Sequence, residues 1–243
     1  MKVEVWSDFA CPFCYIGKRR LEQALADSPH RDQIEVEYRS FELDPGAARD
    51  AGMNVHQMLA AKYGMPLEQA QTMNRQLSGQ AAAEGLDFQF DRTILTNTFD
   101  AHRLAQYART QGRAAELTEL LLKGYFTDGL HLGDADTLLG LAKAVGLDEQ
   151  EAAAVLAGDR YADEVRSDEQ RAARLGIRGV PFYLLDGKLA VSGAQQAEAF
   201  RQALEQAWAE HTPPPAPLQA QADEACSDGL CAPVTTNKPL IHD

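Results

Sequence analysis

The chain has 243 residues, 45% of them hydrophobic, which is enough to bury a sizeable core and too many for a disordered segment. Acidic residues outnumber basic ones 36 to 23, and the formal net charge of −13 argues against nucleic acid or an anionic membrane as partner, since both demand basic surface. No run approaches the roughly 20 apolar residues of a membrane span.

The first predicted strand covers residues 3–6, Val3-Glu4-Val5-Trp6. Met1-Lys2 leads straight into it without a charged-then-apolar leader, so the expected location is cytoplasmic. Cys11-Pro12-Phe13-Cys14 follows and opens a helix expected to run to about Ala26, with Leu21, Ala24 and Leu25 on one side. Pro12 suits a first helical turn, where its missing N–H costs nothing. A second strand is predicted over residues 34–41, where Ile34, Val36, Tyr38 and Ser40 alternate with Glu35, Glu37 and Arg39. Strand, helix, strand is the order of a parallel pair with a helical crossover, and Asp44-Pro45-Gly46 ends the unit.

Residues 55–175 are almost entirely helical in pattern. Helices are predicted over 98–109 behind Asn97, over 114–126 with Leu117, Leu120, Leu121 and Tyr125 in register, from Asp134 to Val145 with Gly146 as stop, and from Asp148 to near Gly158. A charged amphipathic helix over 161–175 ends at Gly176. The apolar stripes are core positions, and no cofactor is expected. Charged residues on these helices are expected on solvated faces, and His102 is expected in a hydrogen-bonded structural role. Strands then return at 182–185 and 188–191 around Asp186-Gly187, a strong two-residue hairpin signal. A last helix over 195–210 sets Phe200, Leu204, Ala207 and Trp208 on one face as core. From Thr212 the chain is rich in Pro and Ala and is expected to be a flexible tail.

The expected organisation is therefore α/β. Residues 1–52 and 176–211 form a small mixed sheet with helices, residues 53–175 an inserted helical lobe, and residues 212–243 a tail.

The four cysteines fall in two close pairs, Cys11/Cys14 and Cys226/Cys231. In a reducing compartment such pairs are more often catalytic, redox-sensing or metal-binding than structural. Cys11 and Cys14, two residues apart at a helix N-terminus, can form a short reversible disulfide. The unpaired N–H groups and positive end of the helix favour a thiolate at the first thiol, and the thiolate is the reactive species. This makes Cys11 the expected, more exposed attacking thiol and Cys14 the resolving one, in thiol–disulfide exchange on disulfide- or dithiol-bearing proteins.

Cys11-Pro12-Phe13-Cys14 together with Gly179-Val180-Pro181-Phe182 resembles the DsbA-like thioredoxin-fold family, and more narrowly its FrnE-type cytoplasmic oxidoreductases. Trp6-Ser7-Asp8, Tyr15-Ile16-Gly17 and Val191-Ser192-Gly193-Ala194-Gln195 add to the resemblance, which covers about residues 1–210. It implies a thioredoxin-like fold with a large helical insertion and a cis peptide bond before Pro181, packed opposite the redox pair. Val180 and Pro181 would then hold an extended substrate strand in a groove shaped by the helical lobe. Two positions depart from the relatives. Where many members carry a buried acid six residues before the first cysteine, this chain has Val5, with Asp8 nearby. Where strongly oxidising members place His between the cysteines, it has Pro12-Phe13, which implies a milder oxidant.

Two further readings stay open at this point. The same fold with the same insertion occurs in kappa-class glutathione transferases and 2-hydroxychromene-2-carboxylate isomerases. Those typically carry Ser at the attacking position and a Ser-Asp pair where this chain has Ala194-Gln195. The other is a metal- or peptide-binding module, for which Cys226 and Cys231 with His211 and His242 offer zinc-compatible ligands. Against that, Asp228-Gly229 is a turn signal between Cys226 and Cys231, which suits a second redox pair exchanging with the first. The 18 steps from Trp208 to Cys226 extend to roughly 60 Å, ample for such contact.

Overall fold

The computed structural model describes residues 1–211; Cys226, Cys231 and His242 lie outside the described residues. The described chain forms one compact unit, Met1–His211. The order is β1 (Lys2–Ser7), α1 (Pro12–Ala26), β2 (Glu35–Ser40), then α2 (Val55–Tyr63), α3 (Leu67–Ala83), α4 (Phe99–Thr110), α5 (Ala114–Lys123), α6 (Ala135–Ala144), α7 (Glu149–Ala157) and α8 (Ala162–Arg174). It closes with β3 (Phe182–Leu185), β4 (Leu189–Ser192) and α9 (Ala197–Ala209).

The sheet order is β2-β1-β3-β4, with β1 parallel to β2 and antiparallel to β3. Strand alternation sorts side chains onto its two faces. Val3, Val5, Tyr183 and Leu185 pack with Leu21 and Ala24 of α1 and with Phe200 and Leu204 of α9. On the opposite face Trp6 and Leu184 meet Ala172 of α8 and Ile177. The β3–β4 turn has the expected form, since Asp186 (φ 51°) and Gly187 (φ 70°) both take positive φ. Capping follows local chemistry too. Asp134 and Asp148 accept from the N–H groups of Thr137 and Glu151, at 2.9 and 2.8 Å, whereas the expected cap of α4, Asn97, lies one residue before the N-cap Thr98 and accepts from Phe99 N–H at 2.8 Å in a local turn.

Four expectations need correction. The middle segment is not continuously helical. Gly85 (φ 75°) stops α3, and residues 84–98 cross the lobe as irregular chain, held by Phe88 and Phe90 against Phe126. The helix expected to Phe126 ends at Lys123 and widens into a π turn, Gly124–Asp128, closed by Leu130 N–H to Gly124 O at 2.8 Å. Trp208 is only half-buried, because it sits at the end of α9 and stacks on His30 with ring centroids 4.0 Å apart.

Lastly, several charged residues expected at the surface are buried because they pair. Asp168 of α8 accepts from Arg39 at 3.1 Å, from Ser40 N–H at 3.0 Å and from Gln106 at 2.7 Å. Glu4 accepts from Arg39 and Arg171, both at 2.8 Å. These bonds fasten α4 and α8 to the sheet.

A second charged cluster ties α1 to α5. Glu119 accepts from Tyr15 at 2.7 Å and Lys18 at 2.6 Å, and it pairs with Arg19. Burial alone would raise its pKa, yet hydrogen bonds from Arg19, Lys18 and Tyr15 hold the carboxyl down at about 2. A depressed folded-state pKa gives stability that is complete above the ordinary value of 4.5 and lost as pH falls toward about 2. Glu119→Gln is therefore expected to flatten the acid limb of the stability curve between those values. Urea unfolding at the two ends of that window checks this. An unchanged stability difference between the two ends would exclude the pairing as its source.

Candidate active site

β1 ends at Ser7, and Asp8-Phe9-Ala10 carries the chain to α1. Cys11 is the N-cap of α1 and Pro12 its first helical residue, while no acidic side chain in the first turn offsets the positive helix end. The turn is closed by Cys11 N–H to Asp8 O at 3.1 Å and Cys14 N–H to Cys11 O at 3.0 Å.

Cys11 and Cys14 are both free thiols. Both are also buried, at 4% and 3% exposure, so the expected greater exposure of Cys11 is not seen. The segment carrying Val180 covers it: Cys11 Sγ donates to Val180 O at 3.5 Å, and the exposed member of the motif is Phe13. The Val180–Pro181 peptide bond is cis, as expected from the resemblance. Pro181 O accepts from Gly193 N–H at 2.8 Å, and the Val180 N–H makes no hydrogen bond among the described residues. An open groove of about 420 Å³ runs past this ledge, lined by Arg178, Val180, Pro181, Phe182, Ser192 and Gly193. Its walls come from the α8–β3 connection and the end of β4, where the helical lobe was expected to shape it.

Cys14 faces inward. Asp8 N–H donates to its Sγ at 3.5 Å. Burial pushes the Cys14 thiol well up, and the hydrogen bond and charge of Cys11 add to this; Ser7 and the Asp8 amide oppose it. The Asp8 carboxylate is itself buried. It accepts from Leu43 N–H at 2.7 Å and lies 3.3 Å from His102 Nε2. Burial favours its neutral form, but the hydrogen bond and charge of His102, with the hydrogen bonds of Leu43 and Thr98, together outweigh that and lower its pKa. His102 stacks on Phe9 with centroids 4.6 Å apart, a buried hydrogen-bonded placement as expected.

Two residues beside the thiols were not singled out individually from the sequence. Among the described residues Tyr183 Oη is buried without a hydrogen-bond partner, and it lies against Gly17 of α1. Burial pushes this phenol well up, with the nearby charges of Cys14 and Cys11 contributing. A signal existed in the sequence. A glycine three residues after Cys14, inside a helix, forgoes about 1 kcal/mol of helix propensity and so marks a close approach.

Among the described residues no group of three or more His, Cys, Asp or Glu is placed to hold a metal. No described helix is long and apolar enough to cross a membrane.

Comparison with known proteins agrees with this geometry. A probable DsbA oxidoreductase, SCO1869 of Streptomyces coelicolor, is 51% identical, with a TM-score of 0.84 over 97% of this chain and 100% of its own. The uncharacterized protein YwbO of Bacillus subtilis (strain 168) is 27% identical over 206 residues, 83% of this chain and 94% of YwbO. A 2-hydroxychromene-2-carboxylate isomerase shares the fold, with a TM-score of 0.67 at 16% identity over 86% of this chain and 97% of its own. The sequence pattern of the DSBA-like thioredoxin domain matches residues 2–205, and the chain belongs to that family of DsbA-like thiol–disulfide oxidoreductases.

Proposed function

We propose that the chain exchanges disulfides with protein substrates in the manner of the FrnE-type cytoplasmic enzymes, with Cys11 attacking and Cys14 resolving. The observation that carries this reading is the placement of two free thiols at a helix N-terminus, with Cys11 Sγ against Val180 O. The Cys11 thiolate attacks one sulfur of a substrate disulfide; that S–S bond breaks, one substrate sulfur leaves as thiolate, and the other stays bound to Cys11. Cys14, having lost its proton, attacks Cys11 Sγ. The Cys11–Cys14 disulfide forms and the second substrate thiolate leaves. Two electrons pass from the pair to the substrate, and the reverse sequence oxidises a substrate dithiol. An extended substrate strand lies along the ledge and pairs with the free Val180 N–H.

The glutathione-dependent alternatives share the fold. Both cysteines are present here, however, and Ala194-Gln195 stands where a Ser-Asp pair would receive the glutathione backbone.

The test is the redox equilibrium of Cys11/Cys14 against glutathione. The expected midpoint lies between those of a strong oxidant such as DsbA, about −120 mV, and thioredoxin, about −270 mV. A pair that forms no disulfide at any glutathione ratio would overturn the reading. The same titration on a chain ending at residue 211 addresses Cys226/Cys231 as the second redox pair. Slower multiple turnover is expected on truncation. Unchanged turnover and midpoint would reject the second pair and leave the first standing.

A further inference from the structure

The parallel ladder between β1 and β2 ends at Ser7 and Ser40, so the chain that leads into the motif has no strand partner to fix it. Asp8 is the first residue past that end, and it is buried. Its two backbone groups reach the two cysteines. The C=O accepts from Cys11 N–H at 3.1 Å, and the N–H donates to Cys14 Sγ at 3.5 Å. Where one sulfur stands relative to the other therefore depends on how firmly the Asp8 backbone is held.

The Asp8 side chain supplies the hold. Oδ2 accepts from Leu43 N–H at 2.7 Å, which joins the segment after β1 to the segment after β2 where the ladder no longer does. Oδ1 accepts from Ala10 N–H at 3.4 Å, across the turn into Cys11, and lies 3.3 Å from His102 Nε2 of α4. The contacts of the carboxylate are thus with the frame around the motif, while the contacts with the cysteines are made by the backbone.

We propose that Asp8 is a positioning residue for the resolving step: its carboxylate, anchored to the Leu43 segment and to α4, fixes the Asp8 N–H that holds Cys14 Sγ in place to attack Cys11. The inference rests on the exchange reaction above. In that step Cys14 Sγ, as thiolate, bonds to Cys11 Sγ. The bond from Cys11 to the substrate breaks, its electron pair leaves with the substrate sulfur, and the Cys14 proton is released to solvent. An N–H bonds a thiolate more strongly than a thiol, so the Asp8 amide favours the reacting form as well as its placement. Displacement at sulfur needs aligned atoms, and a small shift of the attacking one is costly. The charge of the carboxylate works the other way, since one negative charge disfavours a second beside it. Positioning and charge therefore predict opposite signs when the carboxylate is removed.

The test uses reduced full-length protein and 5,5′-dithiobis(2-nitrobenzoate), which releases one chromophore when Cys11 is captured and a second when Cys14 resolves. Asp8→Ala is expected to slow the second phase at least about tenfold, with the first phase changed less than about threefold. Asp8→Asn keeps an acceptor for Leu43 N–H without the charge, and it is expected to recover most of that loss. A second phase that is unchanged or faster in Asp8→Ala, equal slowing of both phases, or Asp8→Asn as slow as Asp8→Ala would overturn the proposal. If Asp8→Ala fails to fold, the Asp8 amide decides. Its nuclear magnetic resonance signal is expected to move more between wild type and Cys14→Ala than those of Ser7 and Phe9, because the substitution removes its acceptor. An Asp8 amide that moves no more than its neighbours overturns the proposal. Absence of the first phase in the wild type would indict the exchange reading itself.

Discussion

Cys11→Ser is expected to reduce disulfide turnover to the level of buffer, while Cys14→Ser stalls after a single mixed disulfide. A hydroxyl cannot form the S–S bond that carries the electrons, so losing the attacking sulfur removes the reaction altogether. The structure separates the two thiols. Cys11 Sγ lies 3.5 Å from Val180 O at the groove that a substrate would enter, whereas Cys14 Sγ lies beneath the Asp8 amide. With burial and Cys11 both raising the Cys14 pKa, Cys14 is a poor first attacker and a suitable second one. Reduction of a disulfide-bonded test protein, with non-reducing electrophoresis of the products, reads both outcomes. Full activity in Cys11→Ser with loss in Cys14→Ser would reverse the assignment of roles.

The parts of this site that were legible in the sequence are those set by local chemistry. Pro12 at the first helical position, Asp134 and Asp148 at N-caps, and Asp186-Gly187 at positive φ each specify a backbone geometry that does not depend on distant packing. The alternation in β2 placed Val36 and Tyr38, with Ile34 before them, on one face for the same reason.

What stayed hidden depends on partners far away in the chain. Asp168 carries no sign that it will be buried until Arg39, Ser40 and Gln106 converge on it from other elements. Residues 84–98 lack helical structure because Phe88 and Phe90 find Phe126, a contact no window of sequence contains. Asp8 and His102 are 94 positions apart, so the sequence offered each separately and only the fold makes them a pair. Cys11 illustrates the same limit in another way. Its helix-end position was legible, but its cover by Val180, 169 positions later, was not.

Gly17→Ala is expected to cost more stability than any surface change on α1 and to impair exchange beyond what unfolding explains. A Cβ at Gly17 would fall well inside van der Waals contact of Tyr183 Oη, 3.2 Å from Pro181 Cγ and 3.4 Å from Ala194 Cα. Tyr183 is fully buried in the centre of the sheet, edge-on to Phe200 at 4.7 Å between centroids, so its ring has little room to withdraw. Overpacking of this kind costs about 3 kcal/mol at the upper end of its usual range, or about 10 °C in melting temperature for a protein of this size. The neighbours that must yield include Pro181, so the ledge facing Cys11 moves with them. Tyr183→Phe removes the obstructing hydroxyl, and because that hydroxyl has no partner among the described residues the change alone is expected to be neutral or stabilising by up to about 1 kcal/mol. The double variant should therefore regain at least half of the lost stability. Thermal melts of the two single variants and the double variant, together with the rate at which 5,5′-dithiobis(2-nitrobenzoate) captures Cys11, test the argument. Gly17→Ala melting within about 2 °C of the wild type would show that α1 shifts freely over Tyr183 and that the close approach does not position the ledge. Loss of stability without rescue by Tyr183→Phe would move the clash to Pro181 alone.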